Sequence, residues 1–199
     1  MKFIQKRNPE PEKLNDYLVW VANNNARFST LNGEERWGKL SKKKKHKQAL
    51  QDTIIEEQGY ICAYCNRPIH KQNPEDDEQL RLEHIEPKAT YPEKTFDYYN
   101  LLGCCFGDER EKDRISPPRS LHCDVSKGEK EIPKEMFPTN INCEKILLYS
   151  SEGEISSTDS NVYEAINSTL NLNCEKLLVQ RNNIIKEFTE TEKWKLLIL

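Results

Sequence analysis

The sequence predicts an α+β protein whose helices flank a small cysteine-rich core. Apolar residues have helical spacing near both ends of the chain, and a short stretch near the middle alternates between apolar and polar residues. Most of the seven cysteines also lie in the middle part. With 36% hydrophobic and 32% charged residues, the 199-residue chain is polar but has enough apolar side chains for a folded core.

Residues 1–58 are predicted to form an N-terminal helical region. Near-helical spacing starts in this region with Leu14, Tyr17, Leu18 and Val21. A second helix is expected over residues 43–58, with Gly59 placed to end it and one apolar face formed by Leu50, Ile54 and Ile55.

Residues 59–133 are predicted to contain the core. Residues 59–69, GYICAYCNRPI, are typical of a short knuckle or hairpin, and the alternation in QLRLEHI, residues 79–85, predicts a strand. Proline-rich and charged loops follow, and a short helix is expected to begin at Cys123.

Residues 134–199 are predicted to form an α+β appendage. A hairpin is expected to turn at Glu152–Gly153, and Asp159 or Ser160 is placed to cap a helix. A last helix is expected to begin at Asn173 and to bury Leu177, Leu178, Ile184, Ile185 and Phe188. The apolar segment 194–199, WKLLIL, is expected to pack on the core or on a partner.

The charge distribution argues against binding of nucleic acid by bulk charge alone, because the net charge is −3. The segment 39–47, KLSKKKKHK, is nevertheless strongly basic, and it could contact phosphate or an acidic partner. No apolar run approaches the roughly 20 residues needed to cross a bilayer. The first residues also lack the apolar middle of a secretion signal, so we expect a cytoplasmic protein.

The cysteines are spaced for metal binding. Two residues separate Cys62 from Cys65, a gap that lets both thiolates reach one zinc ion from a tight turn. The second half of a four-sulfur site would come from Cys123 and from either Cys104 or Cys105. An odd number of cysteines in a reducing compartment argues against a disulfide framework. The remaining two, Cys143 and Cys174, are expected to be buried apolar residues.

Glu83 and His84, at the end of the predicted strand, suit metal-dependent hydrolysis of a phosphodiester. A carboxylate is a hard ligand for a divalent cation, and an imidazole has a pKa near working pH and can accept a proton from water. Asp124, at the start of the predicted helix after Cys123, would supply a second carboxylate. The alternative without catalysis is that His84 is a half-buried structural histidine and that the two acids are ordinary surface residues.

In order along the chain, these residues resemble the HNH endonucleases, the ββα-metal finger class. The matching pieces are Cys62 with Cys65, Glu83-His84, Asn100-Leu101 followed by Cys105, and the run Cys123-Asp124-Val125-Ser126-Lys127. Over roughly residues 50–185 the chain looks closest to the HNH subunit of Septu-type anti-phage defence, a subunit also found with retrons. Two residues depart from the family pattern. Many members have Asp where this chain has Glu83, directly before the histidine, and His or Asn where it has Asp124.

The resemblance implies a zinc-stapled ββα-metal core with flanking helices, and it implies a role for each matched residue. His84 would be the general base, Glu83 and Asp124 would bind one Mg²⁺ or Mn²⁺, and Asn100 would hold His84 or its loop. The family spacing selects Cys105, so zinc would be held by Cys62, Cys65, Cys105 and Cys123. Phosphate would lie near Lys88 and Lys127.

The same resemblance implies an endonuclease that hydrolyses nucleic acid, with DNA favoured over RNA, as the effector subunit of a bacterial defence complex. Its partner would be an SMC/ABC-like ATPase, and in a retron also the reverse transcriptase and its DNA. The terminal regions, including residues 1–38, would dock on the ATPase. Two alternatives stay open: a zinc-stapled binding module without catalysis, and a version of the nuclease that cleaves tRNA.

Overall fold

A computed structural model describes residues 1–7, 11–69, 80–108 and 120–190, and these residues form a mixture of helices and small sheets. The predicted α+β class is therefore confirmed. The helices are α1 (Pro11–Asn24), α2 (Gly33–Ser41), α3 (Lys44–Glu57), α4 (Asp124–Lys127), α5 (Ser160–Glu164) and α6 (Glu175–Glu190). The strands are β1 (Arg81–His84), β2 (Leu101–Cys104), β3 (Leu148–Tyr149) and β4 (Ile155–Ser156). No helix in the described ranges is long and apolar enough to cross a membrane.

The first three helices pack around an apolar cluster that they share with the central part of the chain. The buried residues of this cluster are Leu14, Tyr17, Leu40, Leu50, Ile54, Phe96, Tyr98 and Leu101. Helix α3 confirms the helix predicted for residues 43–58. Because Phe96 and Leu101 belong to the central region, the N-terminal helices pack directly against the segment that follows β1.

Helix α2 was not predicted from the sequence, although its start signal is present. The Asn32 side chain accepts a hydrogen bond from the Glu35 backbone N–H, and the Glu35 carboxylate accepts one from the Asn32 N–H. This reciprocal capping box satisfies two backbone donors that would otherwise lack partners at the helix start. The basic segment 39–47 spans the end of α2 and the start of α3, and its residues Lys42 to Lys45 are exposed.

The central sheet is an antiparallel pair in which Glu83 lies opposite Leu102, and His84 lies opposite Leu101. The buried Gln58 side chain ties α3 to this sheet. Its amide oxygen accepts from the Gly103 N–H at 2.7 Å, and its Nε2 donates to the carbonyls of Gly103 and Ile61, each at 2.9 Å. One side chain thus joins the end of α3, the following turn and β2.

The C-terminal part contains the predicted hairpin and the predicted capped helix. Strands β3 and β4 pair around Gly153, whose φ of +85° favours glycine. The Asp159 carboxylate accepts hydrogen bonds from the backbone N–H groups of Asn161 and Val162 at the start of α5.

The expectation that α6 buries a continuous apolar face is wrong. Leu177 is buried, but Ile184 and Phe188 are 65% and 39% exposed. Leu178 and Ile185 are half-buried, so only one of the five predicted residues is fully buried. The predicted start at Asn173 is also shifted, because α6 begins at Glu175 and the Asn173 side chain instead bonds to the backbone of Ile155. Segment 194–199 lies outside the described residues.

We expect Gln58→Ala to lower the free energy of unfolding by about 2–3 kcal/mol, because it leaves the buried Gly103 N–H without its acceptor. Urea denaturation followed by circular dichroism measures the change. The matched control is Gln48→Ala on the same helix. Its exposed side chain bonds to Asp52 and to no other described residue, so the cost should stay below about 0.5 kcal/mol. Equal costs for the two variants would show that Gln58 does not tie α3 to the sheet.

Candidate metal centres and active site

Four cysteine side chains, those of Cys62, Cys65, Cys105 and Cys123, form one compact cluster in which all sulfurs lie within 4.8 Å of one another. The Cys62 and Cys123 sulfurs are 3.9 Å apart, and those of Cys65 and Cys105 are 3.8 Å apart. A tetrahedron with Zn–S bonds of 2.3 Å has an edge of about 3.8 Å. The cluster therefore has the size of a tetrahedral four-thiolate site, and it could hold a structural metal such as zinc.

Local backbone geometry brings the first two sulfurs together. The Asn66 N–H donates to the Cys62 carbonyl, and the Cys62 N–H donates to the Arg67 carbonyl. Asn66 has a φ of +59°, the left-handed conformation that asparagine tolerates better than most residues. This tight turn is the predicted knuckle, and it directs Cys62 and Cys65 toward the same point.

The other two sulfurs come from distant parts of the chain. Cys105 directly follows β2, and Cys123 directly precedes α4. Cys123 has a φ of +59°, which is uncommon for a residue with a β-carbon, and its N–H donates to the Leu170 carbonyl at 2.8 Å. Cys104 is buried outside the cluster, so the four cysteines brought together are those that the family spacing selects.

A buried histidine next to the cluster was not predicted to belong to it. His122 Nδ1 lies 3.1 Å from the Cys123 sulfur, and Nε2 lies 3.6 Å from an Asp108 carboxylate oxygen. An imidazole N–H pointing at a thiolate reduces the excess negative charge of a four-sulfur site. Its position beside Cys123 in the sequence was the available signal.

The Glu83 side chain, in β1, is buried and is held by two partners. One carboxylate oxygen accepts from the Tyr64 hydroxyl at 2.8 Å and lies 2.8 Å from the Lys127 ammonium. Burial, together with the neighbouring charge of Asp124, raises the pKa of Glu83 well above its usual value. Two carboxylates in such a place repel each other unless a proton or a cation lies between them.

A side chain of β1 holds Asp124 next to Glu83. The Arg81 Nε donates to one Asp124 carboxylate oxygen. Arg81 and Glu83 are two residues apart on β1 and therefore point to the same face of the strand. The sequence did not identify Arg81 and Tyr64 as residues of the candidate site. Arg81 could have been identified, because side chains two positions apart on a strand point to the same face.

A hydrogen bond to the backbone determines the tautomer of the His84 ring. Nε2 lies 3.0 Å from the Thr95 carbonyl, which can only accept, so Nε2 carries the proton. Burial lowers the pKa of His84 to about 4, and the ring is therefore neutral at pH 7. Nδ1 then has a free lone pair, and it has no hydrogen-bond partner among the described residues.

Asn100 holds the loop that follows His84. Its side-chain oxygen accepts from the Glu86 N–H at 2.8 Å, and its Nδ2 donates to the Glu86 carbonyl at 3.0 Å. A longer contact of 3.4 Å reaches the Lys94 carbonyl, next to Thr95. Asn100 thus contacts the loop rather than the imidazole itself.

Glu83, His84 and Asp124 line a single cavity of about 230 Å³. Other residues that line it include Trp37, Arg81 and Lys88. Within the described ranges, the cysteine cluster is the only set of three or more Cys, His, Asp or Glu side chains close enough to share one ion. Glu83, His84 and Asp124 line the same cavity without forming such a cluster.

The two lysines expected near phosphate lie in different surroundings. Lys88 faces the cavity, and its ammonium forms ion pairs with Glu34 and Glu129 at 3.0 and 2.8 Å. Lys127 is 1% exposed, and its ammonium contacts Glu83 and the His84 carbonyl, the latter at 3.0 Å. Lys127 therefore contacts the Glu83 side chain and the His84 backbone rather than solvent.

The chain is similar to a curated protein of Escherichia coli described as "Retron Ec83 putative HNH endonuclease". The two are 22% identical over an alignment of 174 residues, and the match covers 70% of this chain. The chain spans 65% of the length of that relative. No family model matches the chain.

Removal of metal from the cysteine cluster should unfold the core. Structural zinc contributes roughly 10–16 kcal/mol in small domains, more than the roughly 5–15 kcal/mol by which most domains are stable. We expect one zinc per chain by elemental analysis, and we expect Cys62→Ala to lose both the zinc and the cooperative thermal transition.

Cys143→Ala is the matched control for this change, because Cys143 is fully buried but lies outside the cluster. It should keep the zinc and lose only about 1 kcal/mol of stability. A Cys62→Ala protein with unchanged helicity and thermal stability would exclude a structural metal.

His84 should make the free energy of unfolding depend on pH. Its folded pKa of about 4 lies below its ordinary value of 6.5, so the stability that it contributes is complete above pH 6.5 and is lost as the pH falls through 4. The loss should reach about 3 kcal/mol. Urea denaturation of wild type and His84→Gln between pH 4 and 7 measures the difference, with His46→Gln as control. Parallel pH curves for wild type and His84→Gln would contradict the buried neutral imidazole.

Proposed function

We propose that this chain is a metal-dependent HNH endonuclease that hydrolyses phosphodiester bonds, with DNA favoured over RNA as substrate. The observation that carries the proposal is a buried pair of carboxylates, Glu83 and Asp124, beside a neutral imidazole in one cavity. The similarity to a retron protein described as an HNH endonuclease supports the same reaction class.

A hard divalent cation fits the donor set of this site. Glu83 and Asp124 supply carboxylate oxygens, the ligand type that Mg²⁺ and Mn²⁺ prefer. Lys127 contacts one Glu83 oxygen, and Arg81 contacts one Asp124 oxygen. Burial and the neighbouring Asp124 still raise the pKa of Glu83, so a cation between the two carboxylates would reduce their mutual repulsion. When bound there, the cation would stabilise the negative charge that develops on the phosphate.

The protein side chains then divide the remaining work. His84 Nδ1 accepts a proton from the attacking water, because Nε2 is occupied by the Thr95 carbonyl. Asn100 fixes the loop that carries this carbonyl. Arg81 holds Asp124, and Tyr64 with Lys127 holds Glu83. Glu83 therefore keeps its orientation without help from the substrate.

In this proposal the cysteine cluster binds zinc and the segment from β1 to α4 is the ββα-metal core. Asp124 and Lys127 are the first and last residues of α4, and both contact residues of β1. Zinc held by Cys105 and Cys123 would fix α4 relative to the end of β2. This division assigns the zinc to structure and the second cation to chemistry.

Basic residues around the cavity can position the nucleic acid. Lys88 lines the cavity and pairs with Glu34 and Glu129. A phosphate of the substrate could replace either carboxylate as the partner of the Lys88 ammonium. The exposed residues Lys42 to Lys45 follow α2 and make no ion pair with a described residue, so they are available for further phosphate contacts.

We further propose that the nuclease is the effector subunit of an anti-phage defence complex with an SMC/ABC-like ATPase, and in a retron with the reverse transcriptase and its DNA. The modest net charge of −3 supports an auxiliary source of substrate affinity. Pull-down of the ATPase by the full chain and by a variant with exposed α1 residues changed, Leu18→Asp with Val19→Asp, tests the expected docking through the N-terminal region. Undiminished capture would remove this face from the interface.

Loss of the general base should abolish cutting without unfolding the protein. We expect His84→Ala to retain its zinc and its circular dichroism spectrum and to cut about 10²–10⁴-fold more slowly than wild type. Plasmid DNA and tRNA are incubated with Mg²⁺, Mn²⁺ or EDTA, with and without the ATPase, and product is quantified on gels. Gln48→Ala, an exposed change outside the basic segment 39–47, serves as control and should cut at the wild-type rate.

Cleavage of tRNA but not plasmid in this assay would select the RNA-directed alternative. Wild-type cutting rates for His84→Ala would show that His84 is not the base. Nucleic-acid binding without metal-dependent cutting by any variant would select the zinc-stapled binding module.

A further inference from the structure

A tryptophan from the N-terminal helices lies against the His84 ring. The centroids of the Trp37 indole and the His84 imidazole are 4.8 Å apart, and the ring planes meet at 81°, an edge-to-face arrangement. Trp37 also lines the cavity that contains Glu83 and Asp124. It lies in α2, outside every motif that the sequence analysis associates with metal binding or hydrolysis.

Close backbone packing fixes α2 at this position. A β-carbon added to Gly33 would lie 2.0 Å from the Lys88 carbonyl oxygen, so the start of α2 touches the loop after His84 at a distance that only glycine permits. Glu34, the next residue, forms an ion pair with Lys88 at 3.0 Å. The start of α2 therefore cannot move away from the site without breaking two contacts.

The middle of α2 contacts a later part of the same loop, near Phe96. Arg36 is buried, its guanidinium bonds to the Asn25 side chain, and it lies 5.2 Å from the centroid of the Phe96 ring. Phe96 follows Thr95, whose carbonyl accepts the His84 Nε2 proton. Trp37 thus lies in a helix that contacts the loop after His84 at two places, Lys88 and Phe96.

The hydrogen bond to Thr95 alone does not fix the direction of the imidazole. A single bond at Nε2 leaves the ring plane able to turn, because the outer torsion of histidine is broad. An aromatic neighbour at 81° adds a second constraint, since edge-to-face pairs favour one relative tilt. Together the two contacts determine where the Nδ1 lone pair points.

We propose that Trp37 is a positioning residue that holds the His84 imidazole with Nδ1 directed at the attacking water. The proposal rests on the base role given to His84 under the proposed function. It makes the N-terminal helices part of the active site, in addition to any role they have in docking.

Leucine and phenylalanine substitutions separate positioning from ordinary packing. We expect Trp37→Leu to lower kcat about 10–100-fold with KM within about threefold of wild type, because a misplaced catalytic group costs rate rather than binding. Trp37→Phe keeps an aromatic ring for the edge-to-face contact and should recover most of the loss. Cutting is measured on the substrate that wild type cleaves, with Mn²⁺ and with the ATPase if wild type requires it.

The matched control is Trp20→Leu, which removes the same ring from the same group of helices. Trp20 packs on Phe28 and Phe96 but does not line the cavity. It should destabilise the fold about as much as Trp37→Leu and keep kcat within about twofold of wild type. Circular dichroism and zinc content confirm that each variant is folded before its rate is compared.

A spectroscopic measurement tests the contact without reference to activity. The ring-proton resonances of His84, assigned with His84→Gln, should be displaced by the indole ring current in wild type. They should return toward ordinary histidine positions in Trp37→Leu but not in Trp20→Leu. Unchanged His84 resonances in Trp37→Leu would overturn the proposal.

The kinetic results distinguish failure of the inference from failure of the proposed function. If His84→Ala is inactive but Trp37→Leu cuts like Trp20→Leu, His84 remains the base and only the positioning role of Trp37 is overturned. If His84→Ala cuts at the wild-type rate, the base assignment fails, and the role of Trp37 fails with it.

Discussion

Clustering of four sulfurs from three separate segments is the constraint on which the rest of this structure depends. Helix α4 has only four residues, too few to be stable by itself. Its position is set at its start, where Cys123 joins the cluster and adopts a backbone conformation that is uncommon outside glycine. Because α4 follows immediately, Asp124 and Lys127 reach β1 at Arg81 and Glu83.

The second group of polar residues is a close pair of buried acids, Glu83 and Asp124, each bonded to one cationic side chain. Glu83 is 3% exposed and has one oxygen shared by a hydroxyl and an ammonium group, while Asp124 raises its pKa from the other side. Buried acids of this kind stabilise a fold poorly and often mark functional sites. The neutral His84 imidazole, on the residue after Glu83, lines the same cavity, and in the proposed function it is the general base.

Local signals in the sequence were sufficient for much of the fold. The spacing of Leu50, Ile54 and Ile55 identified α3, and Asp159 marked the start of α5. Helix α2 was missed because its apolar face is narrow, although Asn32 and Glu35 form a recognisable capping box. The outer face of α6 was misjudged because helical spacing does not reveal whether another element covers that face.

The candidate site was predictable only where its residues follow a short pattern. The cysteines, Glu83-His84 and Asp124 lie in such patterns. The structure gathers four of the cysteines in one cluster and places Glu83, His84 and Asp124 around one cavity. Tyr64 and Trp37 reach the site through packing between distant segments, which no spacing in the sequence encodes. The expected phosphate contact of Lys127 stays untested, but its burial under Glu83 suits a structural role better.

A crystal structure of the wild-type protein grown with Mn²⁺ tests the central claim most directly, because anomalous scattering locates zinc and manganese separately. We expect zinc at the centre of the four sulfurs, about 2.3 Å from each. Manganese should lie between Glu83 and Asp124, with ligand distances of roughly 2.0–2.6 Å. Four sulfurs without a metal, or a Glu83–Asp124 pair that stays without manganese while His84 points elsewhere, would contradict the two-centre account.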